Sequence, residues 1–326
     1  MAIKVQHPGI WDKVCLDFYL FKKGVALLES IPKLNLEYLS MGDTIRQFRD
    51  IMLPQMDLTL EASHLKRFNR DFANDERVSF PEPVDELTTT QVLVETFVEG
   101  TPIMEYTKPG VPLEEKKQLA LLGLETTLKM IFLNDFLHGD LHPGNILISG
   151  KYPNLKMHLL DCGLVLEMGP DQHVNLVKVL GAFTRKNGRL AGELLVDLKS
   201  ETQAGPEDME LFIQGMEQIC VMDNDQVRPK DVCFMGVYIY TFFKFLPSLS
   251  LCSPKNFIEK VGDYITDICF LACTHRVKLE GAFVNASMAV EIMEGIAGAL
   301  CPDMRVQPVA LPLIVKAELM HRFGMH

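Results

Sequence analysis

The chain has no surplus of positive charge. Its 326 residues carry 32 Lys and Arg against 43 Asp and Glu, a formal net charge of −11. Proteins that grip nucleic acid present a concentrated basic surface, so this balance argues against a broad phosphate-backbone interface. There is no C-x-x-C pair either. The eight cysteines (Cys15, Cys162, Cys220, Cys233, Cys252, Cys269, Cys273 and Cys301) are dispersed, and a chain this long needs no disulfide staple. They read as free thiols, mostly buried, in a reducing compartment. The opening segment Met1–Gly9 has neither the apolar core of a secretory signal nor the Arg-rich face of a presequence; it reads as the middle of a strand. No apolar run reaches membrane length unbroken. Val232–Cys252 comes nearest, but Lys244 and Pro247 interrupt it, and it reads as a buried helix ending near the proline. Internal repeats and low-complexity tracts are also missing. What remains, 48% hydrophobic, is the composition of an ordinary globular protein.

Along the chain, residues 1–6 read as a short strand stopped by His7-Pro8-Gly9, and apolar spacing from Trp11 to Leu39 predicts helix with a break at Pro32. A second helical stretch spans Met41–Phe72, interrupted at Pro54, with Asp57, Glu61, His64 and Phe68 recurring every three or four residues. Pro81 and Pro83 end it. The β-branched run Gln91–Val98 predicts a strand closed by Glu99-Gly-Thr-Pro102, and Leu113–Leu133 a long helix. Two apolar runs, Asn145–Ile148 and Met157–Leu160, flank the turn Ser149–Pro153 and predict a hairpin that runs into Asp161-Cys-Gly163. From Asp171 onward the pattern is helical, broken at Gly and Pro positions.

The helix delivers the chain into His138-Gly-Asp-Leu-His-Pro-Gly-Asn145, which invites two chemical readings. His138 and His142 have the i, i+4 spacing of a helical metal site, yet Pro143-Gly144 forbids that helix and no glutamate supplies a general base. Phosphoryl transfer accounts for more residues. It requires a carboxylate for the attacking hydroxyl, oxygen ligands for magnesium and a cation on the phosphates. Asp140 and Asn145 have the spacing of a kinase catalytic loop, and Asp161 follows an apolar strand as the magnesium aspartate of Asp-Phe-Gly does. Ala2-Ile3-Lys4 ends like the Val-Ala-Ile-Lys strand, whose lysine pairs with a helix glutamate, and Glu61 is suitably placed.

Together, His-Gly-Asp-Leu-His-Pro-Gly-Asn at 138–145, Lys-Val-Gln-His-Pro-Gly at 4–9 and Asp57-Leu-Thr-Leu-Glu61-Ala62 resemble the aarF-domain-containing, or UbiB-type, atypical kinases over residues 1 to about 170. The resemblance implies an α+β, protein-kinase-like fold with an incomplete front sheet in a small lobe over 1–98, and a mostly helical rear lobe with an extension over 99–326. It implies ATP and Mg2+ as cofactors, with Asp140 catalytic, Lys4 on the phosphates and paired with Glu61, and Asn145 and Asp161 holding magnesium. Glu95, Thr96 and Phe97 would meet adenine through a hinge spanning Val94–Phe97. It further implies a role in coenzyme Q (ubiquinone) metabolism in the mitochondrion. The implied partners are a nucleotide, a membrane surface or isoprenoid lipid, and proteins of that metabolism, with no nucleic acid.

Three departures accompany the likeness. The family's Ala-rich nucleotide loop and Lys-x-Gly-Gln motif precede its phosphate lysine, which here is the fourth residue, so the front sheet is expected to lack two strands and leave an unpaired edge. His64 stands where the family usually has asparagine, and Gln55 where an acidic residue is common. Two other readings stay open at this level: a small-molecule phosphotransferase of choline-kinase type, and a binding module without turnover.

Overall fold

The computed structural model describes residues 1–29, 41–196, 204–221 and 261–323. The segment Val232–Cys252, with Cys233 and Cys252, lies outside them.

The front of the molecule is a two-stranded antiparallel ladder of β1 (Ala2–Val5) and β2 (Val92–Glu95), in register Ala2↔Glu95 and Lys4↔Leu93. Only one edge of β1 is paired among the described residues, and Ile3 and Val5 are 65% and 63% exposed, as the shortened front sheet implies. The strand predicted over Gln91–Val98 is shorter: its pairing with β1 ends at Ala2↔Glu95, while on its other edge Val94 and Thr96 bond to Val84 and Glu82. Two helices, α1 (Ile10–Glu29) and α2 (Met41–Met52), follow β1 and pack on each other.

After a single 3-10 turn at Pro54–Met56, Asp57 caps α3 (Leu58–Asp71) by accepting from the Thr59 amide. Leu58, Ala62, Leu65 and Phe68 recur at helical spacing and bury one face, and Glu61 is buried with them. Phe68 stacks on Phe80 and tilts against Phe136, with centroids 4.7 Å away in both cases.

The central helix, α4 (Leu113–Phe132), begins after Pro112 with Glu114 and Glu115 in its first turn and Lys129 in its last, matching the helix dipole. Beyond Leu119 it is almost wholly buried. It leads into β3 (Phe136–His138). The predicted hairpin forms as β4 (Ile146–Lys151) and β5 (Asn154–Leu159), but its first strand runs through Ser149 and Gly150, leaving Tyr152-Pro153 as the loop. Burial alternates only as far as Ser149; Gly150 and Lys151 are both exposed and extend the strand through backbone pairing alone. Strand β6 (Val165–Glu167) pairs with β3, placing His138 opposite Val165.

The rear is helical as predicted: α5 (Pro170–Thr184), α6 (Gly188–Leu195), α7 (Pro206–Val221), α8 (Val261–Thr274), α9 (Gly281–Leu300) and α10 (Gln307–Phe323). By length and composition α9 could cross a membrane, yet half of its apolar window is buried inside the protein. It lies along α4 closely enough that a Cβ on Gly123 would fall 2.7 Å from the Met293 sulfur. Of the six described cysteines, Cys162, Cys220 and Cys301 are buried, Cys269 is half-buried, and Cys15 and Cys273 are exposed, so burial is less general than the composition suggests.

Candidate active site

Lys4, Glu61 and Asp161 meet. Lys4 Nζ donates to both oxygens of Glu61, at 3.0 and 2.9 Å, and to Oδ1 of Asp161 at 2.7 Å. Burial opposes the Lys4 charge, but the hydrogen bonds to Asp161 and Glu61 outweigh it and raise the ammonium above its ordinary value. For Glu61 burial wins: its carboxyl is raised despite Lys4. Asp161 is pushed up by burial and pulled down further by Lys4, ending below the usual carboxylate range. Its backbone φ is +53°, a left-handed conformation that Asp tolerates better than most residues.

His138 ties the catalytic turn to the strand before Asp161. Its Nε2–H donates to the Leu160 carbonyl at 2.9 Å, while its Nδ1 accepts the Asp140 amide at 3.1 Å. Burial lowers the imidazole pKa, consistent with this neutral tautomer. Both ring nitrogens are engaged, which removes His138 from the metal reading; the His142 Nδ1 likewise accepts the Gly144 amide at 3.0 Å. Asn145 is buried and donates its side-chain amide to the Asp140 carbonyl at 3.0 Å, and its own carbonyl accepts the Leu160 amide at 2.9 Å. Asp140 and Asn145 thus belong to one bonded turn, and Leu160, the residue before Asp161, is bonded to it through both its amide and its carbonyl. Asp140 keeps its carboxyl about half exposed, with His142 Nε2 3.9 Å away. Gly139 packs closely here: a Cβ would lie 2.7 Å from Leu164 Cγ, so a larger residue would force Leu164 to shift.

Beside this turn opens a cleft of about 430 Å³, lined by Ala2, Glu95, Thr96 and Phe97 on one side and by Leu147 and Leu160 on the other. All eight residues singled out in the sequence therefore lie in the triad, the turn or the cleft wall. One contributor was missed. The His64 Nδ1–H donates to the Cys162 carbonyl at 2.9 Å, and its ring meets Phe136 edge-on at 5.7 Å, so α3 grips the Asp161-Cys-Gly segment directly. The signal was its position three residues after Glu61, on the same helix face. Cys162 is fully buried, which pushes its thiol well up and leaves it inert as a nucleophile.

The ABC1 atypical kinase-like domain matches residues 1–195. The chain belongs to this family. Among relatives of the ABC1 domain, a probable serine/threonine-protein kinase, abkC, of Dictyostelium discoideum is 25% identical over 98% of this chain and 51% of its own length. The ABC1 family protein YPL109C, mitochondrial, of Saccharomyces cerevisiae is 26% identical over 96% of this chain and 50% of its own. A probable protein kinase UbiB of Shewanella piezotolerans is 25% identical over 68% of this chain and 40% of its own. The chain thus spans about half the length of the first two relatives. In fold it is similar to the Mycobacterium tuberculosis protein Rv3197, solved with erythromycin, with a TM-score of 0.57 and 17% identity over 96% of this chain and 70% of that one. The ABC1 fold is kinase-like, and these findings bear out the UbiB-type resemblance of the sequence.

Proposed function

We propose that the chain binds Mg-ATP between the front ladder and the catalytic turn and acts as an atypical kinase or ATPase. The observation that carries this reading is the convergence of Lys4 on Glu61 and Asp161, residues 57 and 157 positions away, next to a cleft whose wall includes Leu160, the neighbour of Asp161. In it the 1–98 segment is a small lobe and the 99–326 segment the larger one.

Lys4 would neutralise phosphate charge, with Glu61 holding it in place. Asp140, unencumbered at the turn, would accept the proton of an attacking hydroxyl or water. The Asn145 side-chain nitrogen is tied to the Asp140 carbonyl, so its oxygen would be the ligand, acting together with the Asp161 carboxylate. Magnesium commonly takes one or two such protein oxygens together with phosphates and water, so the donor set fits. Bound there, the ion would offset charge developing on the phosphates. Along the hinge, the Thr96 amide is taken by Glu82, and the Phe97 and Val98 amides, without backbone acceptors among the described residues, would meet a base.

Mitochondrial residence and a place in ubiquinone metabolism are supported by the names of the fungal and UbiB-type relatives. An isoprenoid lipid or membrane partner is supported by the apolar lining of a cavity of about 150 Å³ among α4, α5 and α9, where Phe132, Phe183 and Phe283 line the wall. Thermal unfolding titrated with Mg-ATP tests the core of the reading, because a ligand that binds only the folded state raises its stability by mass action, about 2.7 kcal/mol at a hundredfold excess over Kd. Asp161→Asn should abolish that shift. Equal nucleotide affinity in the variant would sink the assignment, and no shift at millimolar nucleotide in the unaltered chain would favour the binding module.

A further inference from the structure

Opposed residues of an antiparallel pair, and residues two apart on one strand, project to the same face. The register Ala2↔Glu95 and Lys4↔Leu93 therefore places Ala2, Lys4, Leu93 and Glu95 on one face of the front ladder. That face fronts the site: Lys4 reaches Glu61 and Asp161, while Ala2 and Glu95 line the cleft with Leu147 and Leu160. Glu95 is only partly exposed, yet among the described residues no hydrogen bond reaches its carboxyl; the charges that act on it are Glu61, Lys4 and Asp161, and the neutral thiol of Cys162 lies within range. Burial first, and the Glu61 charge next, push it up to about 7. A half-buried acid without a hydrogen-bonding partner among the described residues, set in the wall of a cleft, is a group awaiting a donor.

We propose that Glu95 is the base-selecting residue of the cleft, its side-chain carboxyl accepting a hydrogen bond from an exocyclic amino group of the nucleobase, so that adenine nucleotides are taken over their 6-oxo counterparts. The inference rests on the nucleotide reading above and adds a side-chain role to a residue so far given only a backbone one. The chemistry is directional. An ionised carboxylate offers acceptors alone, so an amino group satisfies it while an oxo group opposes it with lone pairs. Sites with a buried polar group discriminate strongly when the wrong ligand leaves that group unpaired.

Binding of Mg-ATP, Mg-ITP and magnesium tripolyphosphate to the whole chain at pH 8, followed by calorimetry, decides it. The unaltered chain should prefer ATP to ITP by about tenfold or more, the worth of one hydrogen bond to a charged group. Glu95→Met should bring the ratio to within about twofold while tripolyphosphate affinity, which also reports a folded cleft, is unchanged. Glu95→Gln, whose amide can turn to offer either a donor or an acceptor, should bind both nucleotides alike. A ratio near unity in the unaltered chain, or an unchanged ratio in Glu95→Met, overturns the role of Glu95 and leaves the nucleotide reading standing. Failure of all three probes to bind removes that reading, and this inference with it.

Discussion

Lys4 Nζ stands 2.7 Å from Oδ1 of Asp161, so the fourth residue of the chain closes on one 157 positions later. The same nitrogen holds Glu61, whose side chain is 5% exposed and cannot easily find water instead. Lys4→Met should therefore abolish the stabilisation by Mg-ATP and also lower stability in the absence of nucleotide by about 1–3 kcal/mol, the cost of an unpaired buried acceptor. The upper end is unreachable if Glu61 takes up a proton, and Lys4 is itself 42% exposed. Urea unfolding of Lys4→Met beside Lys4→Met/Glu61→Gln checks this. The second change should recover most of the loss, and no recovery would mean that the pair is not the cause.

His64 acts on Asp161 through its neighbour, because its bond goes to the Cys162 carbonyl. Removing it in His64→Ala should cost about 1–2 kcal/mol of stability and weaken Mg-nucleotide binding. His64→Asn should restore both, since the Asn side-chain amide can donate from nearly the position of Nδ1. Loss of binding in the asparagine variant as well would assign His64 a purely packing role against Phe136.

Glu95 gives a pH signature in the protein without nucleotide. Its folded-state value of about 7 lies above the ordinary 4.5, so the folded chain binds the extra proton. Its contribution to stability is complete below about 4.5 and is lost as pH rises through about 7. Glu95→Gln should accordingly match the unaltered chain near pH 4.5 and exceed it by about 1–3 kcal/mol at pH 8. Parallel stability curves for the two proteins across that range would contradict the half-buried placement.

His138 behaves in the opposite sense. Burial lowers its pKa from 6.5, so the folded chain holds fewer protons at this site than the unfolded chain does. Its contribution is present above 6.5 and falls away as pH drops below that value. His138→Leu should remove this acid sensitivity and cost about 2–4 kcal/mol at pH 8, as the Leu160 carbonyl and the Asp140 amide both lose a partner. Chemical denaturation at several pH values separates the two effects, and a variant as stable as the parent would show that water replaces the imidazole.

Much of the fold was legible because the relevant periodicities are local. The spacing Leu58, Ala62, Leu65, Phe68 announced α3, the β-branched run announced β2, and Pro-Gly inside 138–145 announced a turn where histidine spacing alone suggested a metal helix. Boundaries read less well. The strand predicted over Gln91–Val98 ends at Glu95, where the β1 partner strand ends at Ala2, a limit set by another segment and not by its own β-branched run.

By itself the sequence determined the chemistry available: which carboxylates, which amide and which lysine, in an order that phosphoryl transfer requires. The tertiary structure alone decided which of them meet. That Lys4 reaches both Glu61 and Asp161, that His64 grips the Cys162 carbonyl, and that Glu95 shares the face of Lys4 are consequences of strand register and helix placement. The physical reason is one of range. Helix and strand propensities act over a few residues, whereas a one-residue shift of the Ala2↔Glu95 register would turn Glu95 and Lys4 to opposite faces without changing a letter of either strand.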